Sequence, residues 1–199
     1  MRKFNLFNNT LIYSAYNIGV RGMNYIIVPI IATVLSKDDF GRIGIILSVS
    51  TLFSFSMNFG IDNSINRFFH DDNIKPKAFL STYLFVSLII TSVVSLLLIF
   101  GITITSYFYS FPISLVDLAF AFIFALTLVY IKTYERVLKA DGHAQTLAIF
   151  GLKRTLLKSL LLVSIVFFIE TNYIGYFYAL ITSSTIFFIY AVIILLHKC

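Results

Sequence analysis

Cysteine is nearly absent: the one residue, Cys199, stands at the last position, so no intrachain disulfide, CxxC pair or thiolate metal site can form. Charge is scarce as well. Only 12% of the 199 residues are Asp, Glu, Lys or Arg, against roughly a quarter in soluble domains, while 59% are hydrophobic and the mean hydropathy is +0.92. That balance excludes an ordinary soluble domain and implies an all-α integral membrane protein. Three prolines and nine glycines leave no linker rich in Pro, Gly or Ser, and no short-period repeat is present. Enzymatic signatures are missing: there is no GxSxG, P-loop or HExxH, and no paired carboxylates deep in an apolar run. The reading is therefore a non-enzyme. Tryptophan is absent too, so the 17% aromatic content is Phe and Tyr alone, which suits lipid-facing and interfacial positions and also stacking on sugars.

The net charge of +6 invites a nucleic-acid reading, but the 15 basic residues are scattered between apolar runs and form no contiguous stripe. Nucleic acid is set aside as a partner. Arg2 and Lys3 could open a signal peptide, yet the apolar stretch after them is long, is interrupted by Arg21 and meets no A-x-A site. A retained first span is the expectation.

A span needs roughly 20 mostly apolar residues to cross about 30 Å of hydrocarbon. Six such stretches predict a six-transmembrane-helix bundle, with spans at 10–35, 43–61, 79–103, 114–131, 147–169 and 174–196. The fifth carries Lys153, Arg154 and Lys158 in its first half, which are expected to ride an amphipathic entry and snorkel to the headgroups. The fourth loop is expected to hold an interfacial helix around 135–144.

Basic residues in short loops prefer the cytoplasmic face. Arg2, Lys3, Arg67, Lys75, Lys77, Lys132, Arg136, Lys139, Lys153, Arg154, Lys158 and Lys198 fall on one side, against Lys37 and Arg42 on the other, which Asp38 and Asp39 offset. The asymmetry places both termini inside and requires an even number of spans.

Arg21 falls near the middle of the first span, where an arginine costs about 2.5 to 3.5 kcal/mol on insertion scales. Thr10, Ser14, Asn17, Arg21 and Asn24 recur at spacings of four, three, four and three, which puts them on one helical stripe. One reading is the wall of a polar cavity, where the guanidinium fork offers several donors to a phosphate or carboxylate. The other is a bundle-internal arginine paired with Asp62 or another carboxylate. Pro29 in the same span removes a backbone hydrogen bond and kinks the helix, as a gate element or as an ordinary membrane-helix bend.

Ser54, Asn58 and Asp62 share one face at the end of the second span and extend the polar theme. Asp62 either pairs with Arg67 at the interface or lines the cytoplasmic mouth. His70, Asp71 and Asp72 are consecutive and have no second cluster, so they read as a solvated loop and no metal site is expected; His143 and His197 are isolated. Ser114 with Asp117 fits an N-terminal capping pair for the fourth span. No cofactor is implied.

Three segments carry a resemblance. LSKDDFG runs from Leu35 to Gly41, NFGIDNSINRFF from Asn58 to Phe69, and ERVLKADGHA from Glu135 to Ala144. Their order resembles the polysaccharide-export flippases, the O-antigen and related oligosaccharide translocases of the multidrug/oligosaccharidyl-lipid/polysaccharide exporter superfamily. The matching positions are Leu35, Ser36, Phe40 and Gly41; Gly60, Ile61, Ser64, Ile65, Arg67 and Phe68; and Arg136, Ala140 and Gly142. The resemblance implies one lobe of a two-lobe transporter in the bacterial inner membrane, with an undecaprenyl-diphosphate-linked O-antigen or capsule repeat unit as cargo. Arg21, with Ser14, Asn17, Asn24, Asn58 and Asp62, would line the cavity, and Arg67 and Arg136 would form a cytoplasmic gate or touch headgroups. Membrane lipids and the polysaccharide polymerase machinery would be partners.

Family members carry about twice as many spans, so the chain departs from the pattern in length. A lone lobe has nothing to rock against. The expectation is a truncated half whose second lobe is missing, or else two copies paired as a homodimer. Rival classes are a membrane-embedded sugar or acyl transferase, which needs acidic or histidine residues clustered at one face, and a non-catalytic membrane assembly subunit, which has no need of Arg21.

Overall fold

A computed structural model describes residues 6–68, 76–108 and 114–198. They form seven α-helices: α1 Leu6–Ala32, α2 Lys37–Asn58, α3 Asp62–Phe68, α4 Pro76–Phe108, α5 Leu115–Ala140, α6 Ala144–Phe168 and α7 Tyr173–Lys198. The loop residues His70, Asp71, Asp72 and Lys75 and the terminal Arg2 and Lys3 lie outside the described residues.

The helix ends follow from local chemistry. Ser36 sits in extended conformation ahead of α2, its hydroxyl accepts the Asp39 N–H at 3.1 Å, and Asp38 and Asp39 place negative charge against the positive end of the helix dipole. Phe59 (φ 44°) and Gly60 (φ 73°) then end α2 in left-handed conformation. Ser114 and Asp117 make the expected reciprocal capping box on α5. At its far end Gly142 (φ 72°) donates to Lys139 O and His143 to Leu138 O, the paired bonds of a Schellman turn. Leu35, Ser36, Gly60 and Gly142, all in the segments that carried the family resemblance, are thus core or turn positions.

α5 is the central element, packed against α2, α3, α6 and α7, while α1 lies chiefly against α6. One core, at the end holding the α1–α2 and α6–α7 turns, gathers Ile31, Ile43, Ile46, Phe120, Val166 and Phe177. The other, toward α3 and the α5–α6 turn, gathers Ile65, Ile131, Tyr134, Val137, Leu147 and Leu195. α4 is peripheral and turns Phe85, Leu88, Leu96 and Phe100 outward.

Among the described residues four helices, α2, α4, α5 and α7, are long and apolar enough to cross a membrane. This is a multi-pass membrane protein. α1 and α6 fall short of that measure because of their own polar residues, so the six-span count stands as an inference. The remaining differences from expectation are specific. The fourth span does not stop at Ile131: with no Pro or Gly to break it, the helix runs on to Ala140, and residues expected in a separate interfacial helix are its last turns. The helical face expected to run from Ser54 through Asn58 to Asp62 is broken: left-handed Phe59 and Gly60 end α2 at Asn58, and Asp62 opens a separate short helix, α3, which the fully buried Ile65 pins against α5.

α1 and α6 run parallel and close, with the Tyr16 ring directly over Gly151 and Gly19 beside Leu152. A Cβ at residue 151 would occupy the Tyr16 ring. Gly151→Leu is expected to force the two helices apart and lower unfolding stability by about 1–3 kcal/mol, with Gly151→Ala milder because Tyr16 can rotate. Thermal unfolding in a single detergent checks the order; equal midpoints for all three proteins would show that the contact is unimportant.

Candidate functional site

The first-span stripe divides. Ser14, Asn17 and Arg21 are exposed along one face of α1, continued by Tyr25 at 79% exposure, and no hydrogen bond or ion pair engages Arg21 among the described residues. Asn24 is different. It turns toward α6, where its Oδ1 accepts a hydrogen bond of 2.7 Å from Lys158 Nζ. Expected pairing of Arg21 with Asp62 lies outside the described side chains, since only the backbone of Asp62 is described, in the first turn of α3.

The second group gathers elsewhere, at the corner of α2, α3 and α5. Asn58 is partly buried at the end of α2, Arg67 is exposed with its guanidinium 5.2 Å from the Phe68 ring, and Arg136 donates from Nη1 to Asn63 Oδ1 at 3.4 Å. Ser54 does not extend the α1 stripe: it is buried and donates to Thr51 O at 3.0 Å. The expected single polar wall is therefore an open face on α1 plus a separate basic corner.

The basic residues of α6 also depart from expectation. Arg154 does not snorkel but pairs with Glu135 of α5 at 2.9 Å, both side chains being mostly buried. Lys158, fifteenth of the 25 residues of α6, stands about 20 Å along the axis from Ala144, too deep to reach that end. It lines a cleft of roughly 230 Å³ whose walls include Ile27 and Ile31 of α1, Phe40, Ile43 and Leu47 of α2, Leu162 of α6 and Tyr176 of α7. The cleft is apolar apart from Lys158, Asn24 and the Tyr176 hydroxyl.

At the opposite end from the basic corner Arg42 grips Asp117. Nε and Nη2 both donate to Oδ2, at 3.0 and 2.7 Å, and the guanidinium lies 4.4 Å over the Tyr173 ring. This joins α2, α5 and α7. Arg42, expected in a loop beside Asp38 and Asp39, stands within α2, and 75 residues separate it from Asp117, so the pair has no local signal in the sequence. Lys158, by contrast, was visible as a lysine ahead of an unbroken apolar run. Among the described residues no group of three His, Cys, Asp or Glu is placed to hold a metal.

The arrangement offers cations and amides to an anion. A family model described as polysaccharide biosynthesis protein matches residues 6–198 of the chain. Searches of curated proteins and of solved structures returned no match.

Proposed function

The chain belongs to the polysaccharide biosynthesis protein family, and from that membership we propose that it is one lobe of a flippase that carries a lipid-linked oligosaccharide across the bacterial inner membrane. In this reading α1, α2, α4, α5, α6 and α7 are six spans, both termini are cytoplasmic, and a second lobe or a second copy closes the cavity. The cargo is a repeat unit on a polyprenyl diphosphate. No step is catalysed; the lobes rock about the bound headgroup.

The observation that carries the reading is Arg21. It stands midway along α1, exposed and unpaired among the described residues, with Ser14 and Asn17 on the same uncovered face. Facing hydrocarbon, that guanidinium would cost at least about 2.5 kcal/mol, so the face belongs to a wet cavity. A guanidinium also meets a diphosphate through several N–H donors, which an ammonium cannot match in geometry. Arg67 and Arg136 sit at the end where the headgroup would enter, and serve there as headgroup contacts.

Thiol labelling tests the cavity. In a Cys199→Ser background, Ser14→Cys and Asn17→Cys are expected to react with a membrane-impermeant maleimide several times faster than Ala15→Cys and Ile26→Cys, which are exposed on a different side of α1. Equal rates at all four positions would place the polar stripe in lipid or bury it, and the cavity reading would fall.

A further inference from the structure

Lys158 is a cation that the Arg21 reading does not use. Its ammonium carries three donors, one of which goes to Asn24 Oδ1 at 2.7 Å, and no carboxylate pairs with it among the described residues. Burying an ammonium against neutral partners alone is costly, and an arriving anion removes that cost. The space to receive one exists, because the amine lies in the wall of the roughly 230 Å³ cleft between α1 and α2.

We propose that Lys158 and Asn24 form a second anion station, which takes the phosphate of a phosphorylated hydrocarbon chain while the first apolar units of that chain lie against Ile27, Ile31, Ile43 and Leu47. The proposal rests on the transporter reading above. Two features select the occupant. The cleft walls are hydrocarbon, which suits a chain bonded directly to its charged head and not a free ion or a bare sugar. Depth decides the rest: a resident phospholipid keeps its headgroup at the interface, whereas Lys158 stands near the middle of α6, about 20 Å from Ala144 and about 15 Å from Phe168. An anion at that depth is one in transit. Asn24 follows Arg21 by three residues, a rise of about 4.5 Å, so a headgroup held by the exposed guanidinium can pass to the ammonium without leaving α1.

Farnesyl diphosphate is the probe, titrated onto the full chain in phosphatidylcholine nanodiscs, with inorganic pyrophosphate as the chain-free control. The expected result is that Lys158→Met weakens farnesyl diphosphate at least about tenfold, that Lys158→Arg retains most of the affinity, and that pyrophosphate binds at least about tenfold more weakly. The methionine is apolar and helix-compatible, and recovery with arginine separates loss of charge from loss of fold. Unchanged affinity in Lys158→Met overturns the proposal, as does equal binding of pyrophosphate. Displacement of the probe by phosphatidylglycerol, with the same dependence on Lys158, also overturns it by naming a bilayer lipid as occupant. Arg21→Ala keeps the two readings apart: if it abolishes binding while Lys158→Met is silent, the cavity arginine stands and the second station falls. Loss in Lys158→Met with Arg21→Ala silent supports the station and removes the role of Arg21. No binding of farnesyl diphosphate to any form overturns both.

Discussion

Arg42→Ala is expected to destabilise the protein by about 3 kcal/mol, an effect out of proportion to a residue whose side chain is 41% exposed. The reason lies in its partner. Asp117 is only 1% exposed, and its Oδ2 gathers the two guanidinium donors and the Ser114 N–H. Removing Arg42 leaves a carboxylate in the protein with one neutral donor on that oxygen, while Tyr173 loses the cation over its ring. Three helices, α2, α5 and α7, then lose their common fastening. Asp117→Asn is milder, about 1–2 kcal/mol, because Arg42 can turn to water and the amide oxygen can still cap α5. The double variant Arg42→Leu with Asp117→Asn should regain part of the loss, since it leaves no buried charge behind. Unfolding of the four proteins in one detergent gives the order. A change within about 0.5 kcal/mol for Arg42→Ala would mark the pair as an ordinary surface contact.

Most of the fold was legible because the bilayer imposes it. Long apolar stretches can be only helices there, and each of the six expected stretches overlaps a long helix, though those at 10–35 and 43–61 run three residues past the ends of α1 and α2. Their ends were legible where a side chain caps its own backbone, as at Ser114 and Asp117. They were not legible where only the apolar signal stopped. Ile131 is the last residue of an apolar run, but helical hydrogen bonding continues through Lys132 and Arg136 to Ala140. Hydropathy reports solvent, and the helix is set by the backbone.

The site was legible along one element and illegible between elements. Spacing placed Ser14, Asn17 and Arg21 on one face of α1 correctly, since a helical period is a local property. The same spacing could not say that Asn24, at the edge of that stripe, turns to Lys158, 134 residues later. Arg154 with Glu135, and Arg42 with Asp117, are likewise tertiary pairs. A low-charge membrane chain has few candidates for each such pair, yet nothing in the sequence says which helices are neighbours.

The larger functional effect is expected at Arg21. A charge-assisted hydrogen bond to a phosphate contributes about 1.5 to 3 kcal/mol, and removing it from a cavity with few other donors on that face should slow export roughly tenfold to a hundredfold. Arg21→Lys keeps the charge but loses the planar fork, so it should fall between the native protein and Arg21→Ala. Ser14 and Asn17 are neutral and contribute less, so their alanine variants should fall within a few fold of native. The direct measurement is export of lipid-linked repeat units in cells that lack their own flippase, supplied with the chain expressed from its complete coding sequence at equal membrane abundance. Export restored by the native protein, reduced by Arg21→Lys and lost or nearly lost with Arg21→Ala is the result the cavity account predicts. Native-level export by Arg21→Ala would contradict it.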